Sequence, residues 1–257
     1  MNRFRTLAAL GALVALGACD KNAVQEIAGP ESGARVKFYN FGVGAPQVNF
    51  YANNTKMTAI SSTTGVESTT GVAYGALGSG GLYLSLTPGA YDLTGRISAA
   101  VDKDLIIATQ NATLEDGKAY SFYMSGFYNT VAKTSDGFVV EDNFPADIDF
   151  ANAYVRFVHG SSNANPLQLI ARAVAPATIV DTVGAVIAYK AAGAFEAVVP
   201  GAYNLALRYA GAATDAVTRT NVSFVAGRVY TISLRGDITV VSTTATNRPF
   251  LDNTTNR

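Results

Sequence analysis

"LTPGAYDLTGRI" (residues 86–97) and "VVPGAYNLALRY" (residues 198–209) decide how this chain is read. Each writes Pro-Gly-Ala-Tyr, then an acid or amide, a leucine and an alternating run. In the later copy Tyr203, Leu205, Leu207 and Tyr209 alternate with Asn204, Ala206 and Arg208. In the earlier one Tyr91, Leu93 and Ile97 alternate with Asp92, Thr94 and Arg96. A period of two sets one side on a core and the other in water, the mark of antiparallel sheet. Proline presets the first turn position and glycine accepts positive φ at the second, which predicts a type II turn. That turn twists the wrong way for a tight hairpin, so the strands it joins are expected in opposite sheets.

Two further landmarks repeat in the same order. Ala34–Phe38 aligns with Ala153–Phe157 at an offset of 119, the Pro-Gly-Ala-Tyr pair at 112, and "NATLEDGKAYSFYMSG" from Asn111 with "NVSFVAGRVYTISLRG" from Asn221 at 110. Order kept while offsets drift through loop-like segments reads as a duplicated domain. The expected fold is all-β, two tandem antiparallel β-sandwiches of immunoglobulin- or prealbumin-like type. The first spans 34–140, the linker 141–152 and the second 153–242, leaving a polar tail at 243–257.

The amino terminus carries a different signal. "MNRFRTLAALGALVALGAC" has Arg3 and Arg5, an apolar run from Leu7 to Leu16, and small residues before Cys19. This reads as a secretory signal peptide over residues 1–18, too short and too rich in Ala and Gly for a spanning helix. Leu16-Gly17-Ala18-Cys19 resembles the bacterial lipobox. That resemblance implies cleavage between Ala18 and Cys19, a diacylglycerol on the Cys19 sulfur, and further acylation of the new amino group with a chain such as palmitate. Cys19 is the only cysteine, so it has no disulfide partner within the chain. Residues 19–33 read as a polar tether with an end-to-end distance of about 20 Å. The expected location is the bacterial envelope, at the outer membrane, with Asp20 resembling an inner-membrane retention signal.

Lys plus Arg equals Asp plus Glu at 19 each, so there is no electrostatic footprint for nucleic acid. Apolar residues make up 49% of the chain, ample for buried cores.

"VRFVHGSSNANPLQLI" (155–170), "VPGAYNLAL" and "AGRVYTISLRGD" together resemble a bacterial family of unknown function numbered 4397. Arg156, His159, Ser161, Gly201, Tyr203, Gly227, Tyr230 and Thr231 stand at matching places, while Gly160 and Ser162 depart from the family's Ala and Pro. The first copy has Asn40 where the second has His159, and "FGVGAP" in place of the Ser-rich loop. The resemblance covers roughly residues 34–127 and 153–238. It implies a secreted or lipid-anchored β-sandwich and assigns no activity.

Three sets of side chains are candidates for chemistry. His159 is the sole histidine and lies near Ser161, the makings of a base and a nucleophile, yet there is no nucleophile elbow, and a loop-anchoring hydrogen bond is the plainer role. Asp142, Asp147 and Asp149, with Glu141, offer oxygens for calcium in the linker, though their spacing fits no EF-hand and a solvated acidic hinge explains them as well. Tyr39 and Tyr123 fall on the opposite phase from inward Phe38 and Phe122, so they are expected at the surface, where a ring can stack on a glycan. No catalytic residue, cofactor or zinc spacing is assigned. The expectation is a lipid-anchored, non-catalytic binding, adhesion or structural module, with an envelope protein or glycan as partner. A hydrolase using His159 and Ser161, or a calcium-stiffened spacer, are the rivals.

Overall fold

The computed structural model describes residues 32–58 and 70–257. The expected signal peptide, Cys19 and nearly all of the tether lie outside the described residues. Gly33–Arg257 forms one compact unit.

Sixteen strands are described in that unit. The first eight are β1 (Ala34–Asn40), β2 (Val48–Ala52), β3 (Thr55–Lys56), β4 (Leu84–Leu86), β5 (Gly89–Ile97), β6 (Ile106–Leu114), β7 (Ala119–Asn129) and β8 (Thr134–Glu141). The second eight are β9 (Ala153–His159), β10 (Leu167–Ala173), β11 (Val180–Ile187), β12 (Glu196–Val198), β13 (Gly201–Tyr209), β14 (Val217–Phe224), β15 (Val229–Arg235) and β16 (Phe250–Thr255). They build four sheets, ordered β4-β1-β7-β8 and β3-β2-β5-β6 in the first half, β12-β9-β15-β16 and β11-β10-β13-β14 in the second. Each strand of the first half thus has a counterpart eight places on, in the same position of the same sheet. The pairs are antiparallel except β1 with β7 and β9 with β15, which run parallel.

Each half has its own apolar core between its two sheets. Phe38, Phe50 and Phe122 pack with Leu93 in the first, and Phe157, Leu169, Leu205 and Ile232 in the second. A third cluster of Tyr39, Phe41, Tyr123, Phe138, Val140 and Val158 draws on both halves. The β4-β1-β7-β8 and β12-β9-β15-β16 sheets therefore lie face to face, each with its other face on its own core. Burial follows from this. In β15, Tyr230, Ile232 and Leu234 are buried as alternation predicts, but so are Thr231 and Ser233, which it assigns to water.

The contacts across this interface fix its direction. Low in the strands, Arg156 reaches Asp142 and the Glu141 carbonyl, and Lys37 reaches Asn256. High in the strands, Phe41 lies against Gly160, and Ser125 pairs with Tyr189. The strands β1 and β9 thus point the same way, and the two halves start at the same end of the molecule.

Two boundaries expected from sequence are corrected. The segment 243–257 is no frayed tail: Phe250–Thr255 pairs along its whole length with β15, its Leu251 filling the second core. The stretch 141–152 is no solvated hinge at its start, since Glu141 ends β8 and Asp142 is buried.

The Pro-Gly-Ala-Tyr segments do join opposite sheets, leading from β4 to β5 and from β12 to β13. The turn is not type II, however. Gly89 is nearly extended at φ 156° and Gly201 is not at positive φ. What the motif supplies is the tyrosine hydroxyl: Tyr91 donates to the Thr87 carbonyl at 2.8 Å and Tyr203 to that of Val199 at 2.6 Å. A second tyrosine in each half takes the opposite role, Tyr120 accepting from the Glu115 N–H and Tyr230 from that of Val225, both at 3.1 Å. These clips tie one end of each sandwich. Tyr203→Phe is expected to lower stability by about 1 kcal/mol in a urea titration, the worth of one such bond, with little change in the slope.

Candidate functional site

Of the residues picked out from sequence, the interface takes in Tyr39, Tyr123 and Asp142, and it buries all three. On β1 and β7, Tyr39 and Tyr123 sit directly opposite each other in register. Their rings stack at 4.2 Å, and Tyr123 stacks in turn on Phe138 at 4.9 Å. Both are 0% exposed, which corrects their expected place at the surface. Burial pushes the Tyr123 hydroxyl up to about 12, and Tyr39 rises for the same reason. Both rings do point away from the first core, as their phase along the strands requires. What covers them is the other half of the chain.

His159 ends β9 and is fully buried. Its Nε2 lies 3.3 Å from the Asn165 carbonyl, and burial holds its imidazole below the ordinary histidine range. Ser161 Oγ donates to the Gly236 carbonyl at 2.7 Å. Each is thus engaged with a loop rather than turned toward the other. Asn40, the counterpart of His159, holds a loop in a similar way. Its Nδ2 donates to the Val72 carbonyl at 2.8 Å and its Oδ1 accepts from Gly42. The departure at Gly160 also has a local cause, since a Cβ there would stand 2.8 Å from the Leu234 carbonyl oxygen and 3.2 Å from the Phe41 ring.

The linker aspartates do not converge. Asp142 accepts from Arg156, Ser121 and Tyr83. Asp149 closes its own turn on Ala151 and Asn152, and Asp147 is exposed. Among the described residues no group of three or more His, Cys, Asp or Glu side chains is placed to hold a metal ion.

Sequence reasoning missed Lys37, Tyr83 and Asn256. Lys37 and Arg156 are counterparts, as are Asp142 and Asn256 at the ends of β8 and β16, and Tyr83 and Phe195 just before β4 and β12. Arg156 crosses to Asp142 with its guanidinium 4.6 Å from the Phe195 ring; Lys37 crosses to Asn256 at 2.9 Å with its amine 4.3 Å from the Tyr83 ring. The two arrangements are one design used twice around an approximate twofold parallel to the strands. The signal available in the sequence was a cation at the same place in both copies of the first landmark, Lys37 and Arg156.

Three cavities bear on a possible ligand. Two, of about 240 and 250 Å³, share Glu141 and Asn143 as walls; Arg35, Lys118 and Arg257 line the first, Arg156 and Phe195 the second. Both fall below the range of pockets that enclose a drug-sized ligand, roughly 300–1,000 Å³. A third, of about 380 Å³, lies on the outer sheet of the first half between Asn53, Tyr91, Asp92 and Asn111. It offers amides and a carboxylate.

Sheets, cores and interface together define a duplicated all-β protein whose two sandwiches share a buried polar and aromatic face. A family model described as "Domain of unknown function (DUF4397)" matches residues 34–170. The chain belongs to that family. The match takes in all eight strands of the first half and the opening of the second. No curated protein matches the chain.

Two outcomes are expected. Asp142→Ala leaves the Arg156 charge buried without its partner and should cost about 3–5 kcal/mol in chemical denaturation. Lys37 gives a pH signature. Burial is the main cause that lowers its amine from 10.5 to about 8; Asp142 draws it up and Arg156 presses it further down. Between pH 8 and 10 the unfolded chain holds a proton that the folded one has shed, so stability rises with pH across that window. The thermal midpoint of the native chain should therefore climb from pH 8 to 10 relative to that of Lys37→Met.

Proposed function

We propose that this protein is a lipid-anchored component of the bacterial envelope that acts as a non-catalytic structural or binding module, displaying a rigid double sandwich at the membrane surface. The observation that carries the reading is the fate of the reactive side chains. His159, Ser161, Asp142 and Arg156 are buried at 3% exposure or less, and each is engaged in holding a loop or the two halves together. Asn40 repeats the loop-holding role of His159 with a group that cannot serve as a general base at neutral pH. A hydrolase would need its nucleophile and base within reach of substrate and of each other.

The anchor rests on the lipobox-like Leu16–Cys19 and on the sole cysteine. Two or three acyl chains, at about 0.8 kcal/mol per buried CH₂, hold a protein to a bilayer durably. Among the described residues no helix is long and apolar enough to cross a membrane. A rigid body on a short tether suits contacts that are weak singly and strengthened by confinement, with an envelope protein or a glycan as partner.

Cells expressing the chain and fed an alkyne analogue of palmitate should label it, with Cys19→Ser moving it out of the membrane fraction and losing the label. An unmodified thiol by intact mass would sink the anchor. For the module, crosslinking in the native membrane should capture the same partners with His159→Asn as with the native chain. A hydrolase reading predicts instead that His159→Asn abolishes function while the fold persists.

A further inference from the structure

The two halves are built alike but finish differently at the end where they both begin. In the first half the turn before β7 reads Glu115-Asp116-Gly117-Lys118, and Thr87 follows β4. In the second the counterparts are Val225-Ala226-Gly227-Arg228, and Val199 follows β12. Acids and a hydroxyl have become apolar side chains, and the basic residue has been kept.

The apolar residues lie together. Gly201 pairs with Phe224, which sets Val199 and Val225 at the same end of the sheet, two residues and one residue beyond that pair. The Tyr203, Phe224 and Tyr230 rings run beneath them, Tyr203 bonded to the Val199 carbonyl and Tyr230 to the Val225 N–H. Phe150 lies against the same turn, its ring where a Cβ on Gly227 would stand, and Gly227 donates to the Asn152 carbonyl. Phe150 is 77% exposed, Val225 52% and Val199 48%, with Arg228 exposed among them. Isolated apolar residues on a surface need no explanation, but this group gathers at one end of the sandwich and is unmatched in the sister copy.

Its position says what covers it. Gly33, where the described chain emerges from the residues that follow Cys19, sits at this same end, bonded to Asp116 and Gly117. Cys19 and Gly33 are fourteen residues apart in sequence, so they can stand at most about 50 Å apart. A chain held by its Cys19 sulfur therefore keeps this end close to the bilayer. An aromatic ring and aliphatic side chains around an arginine are the composition that settles at the boundary of headgroups and acyl chains.

We propose that Phe150, Val199 and Val225, with Arg228, form a lipid-docking foot that seats the second half on the bilayer carrying the anchor. The proposal rests on the lipid-anchor reading for its natural setting, though the docking itself can be tested without it. Because the chain contains no tryptophan and one cysteine, both reporter and tether can be placed uniquely. Phe150→Trp in the chain from Cys19 onward is coupled through the Cys19 thiol to maleimide lipid in phosphatidylethanolamine–phosphatidylglycerol vesicles containing brominated lipid. Val131→Trp, on the β7–β8 turn at the opposite end, is the matched comparison. The foot predicts that emission from the Phe150→Trp protein shifts to the blue and is quenched at least twofold on coupling, while emission from the Val131→Trp protein is unchanged. Adding Val199→Ser and Val225→Ser to the Phe150→Trp protein should restore its emission to that of the uncoupled protein. Unquenched emission from the coupled Phe150→Trp protein, or quenching at position 131 instead, overturns the foot with the anchor reading intact. An unmodified Cys19 thiol in protein from its own cells overturns the anchor, and with it the bilayer as natural occupant.

Discussion

Arg156 and Asp142 meet between two sheets, 2% and 0% exposed at the side chain, and the rest of the architecture depends on what it takes to keep them there. A charge removed from water at such depth costs several kcal/mol unless its hydrogen-bonding positions are filled. Thr231 and the Glu141 carbonyl fill those of the guanidinium; Ser121 and Tyr83 fill those of the carboxylate. Each of these groups must arrive in place for the others to be tolerable. That demand sets the register of one half on the other far more sharply than apolar packing alone, which adjusts to small slips.

The twin of this site shows how far the demand can be relaxed. Lys37 is as deeply buried, yet its partner Asn256 is neutral, so the first half's cation meets an amide from the second while the second half's cation meets a carboxylate from the first. The amine responds by holding its proton less tightly. Asn256 in turn donates to Thr231, so the two sites share a hydroxyl that also accepts from Arg156. The duplicated halves are consequently not interchangeable at their shared face. Each supplies what the other lacks.

Much of the fold was legible because local rules and repetition agreed. The offsets at three landmarks, the inward side of the alternation in β5, β13 and β15, and the switch of sheets at Pro-Gly all carried through to the structure. Three things did not show. A period of two identifies the face on a core but is silent on whether the reverse face meets water or another sheet, so Tyr39, Tyr123, Thr231 and Ser233 read as outward. The strand β16, "FLDNTT", is polar because one side meets the interface through Thr254 and hydrogen bonds, and composition alone makes it a tail. Asp142 follows a strand and precedes a proline-containing loop, a setting that usually means solvent. Its burial depends on an arginine contributed by the other half, which no local pattern announces.

The hydrogen bond from Lys37 to Asn256 joins residues 219 positions apart, near the two ends of the described unit. Closing so long a loop is entropically expensive and has to wait for most of the chain. The first sandwich can collapse around Phe38 and Phe50 while its outer face, with Tyr39, Tyr123 and the lysine, is still uncovered. In the native fold β16 both completes the sheet of β12, β9 and β15 and, through Thr254 and the adjoining Asn256, helps to cover that face. The topology thereby couples the two ends of the described unit: the first strand is held by the last stretch of the chain.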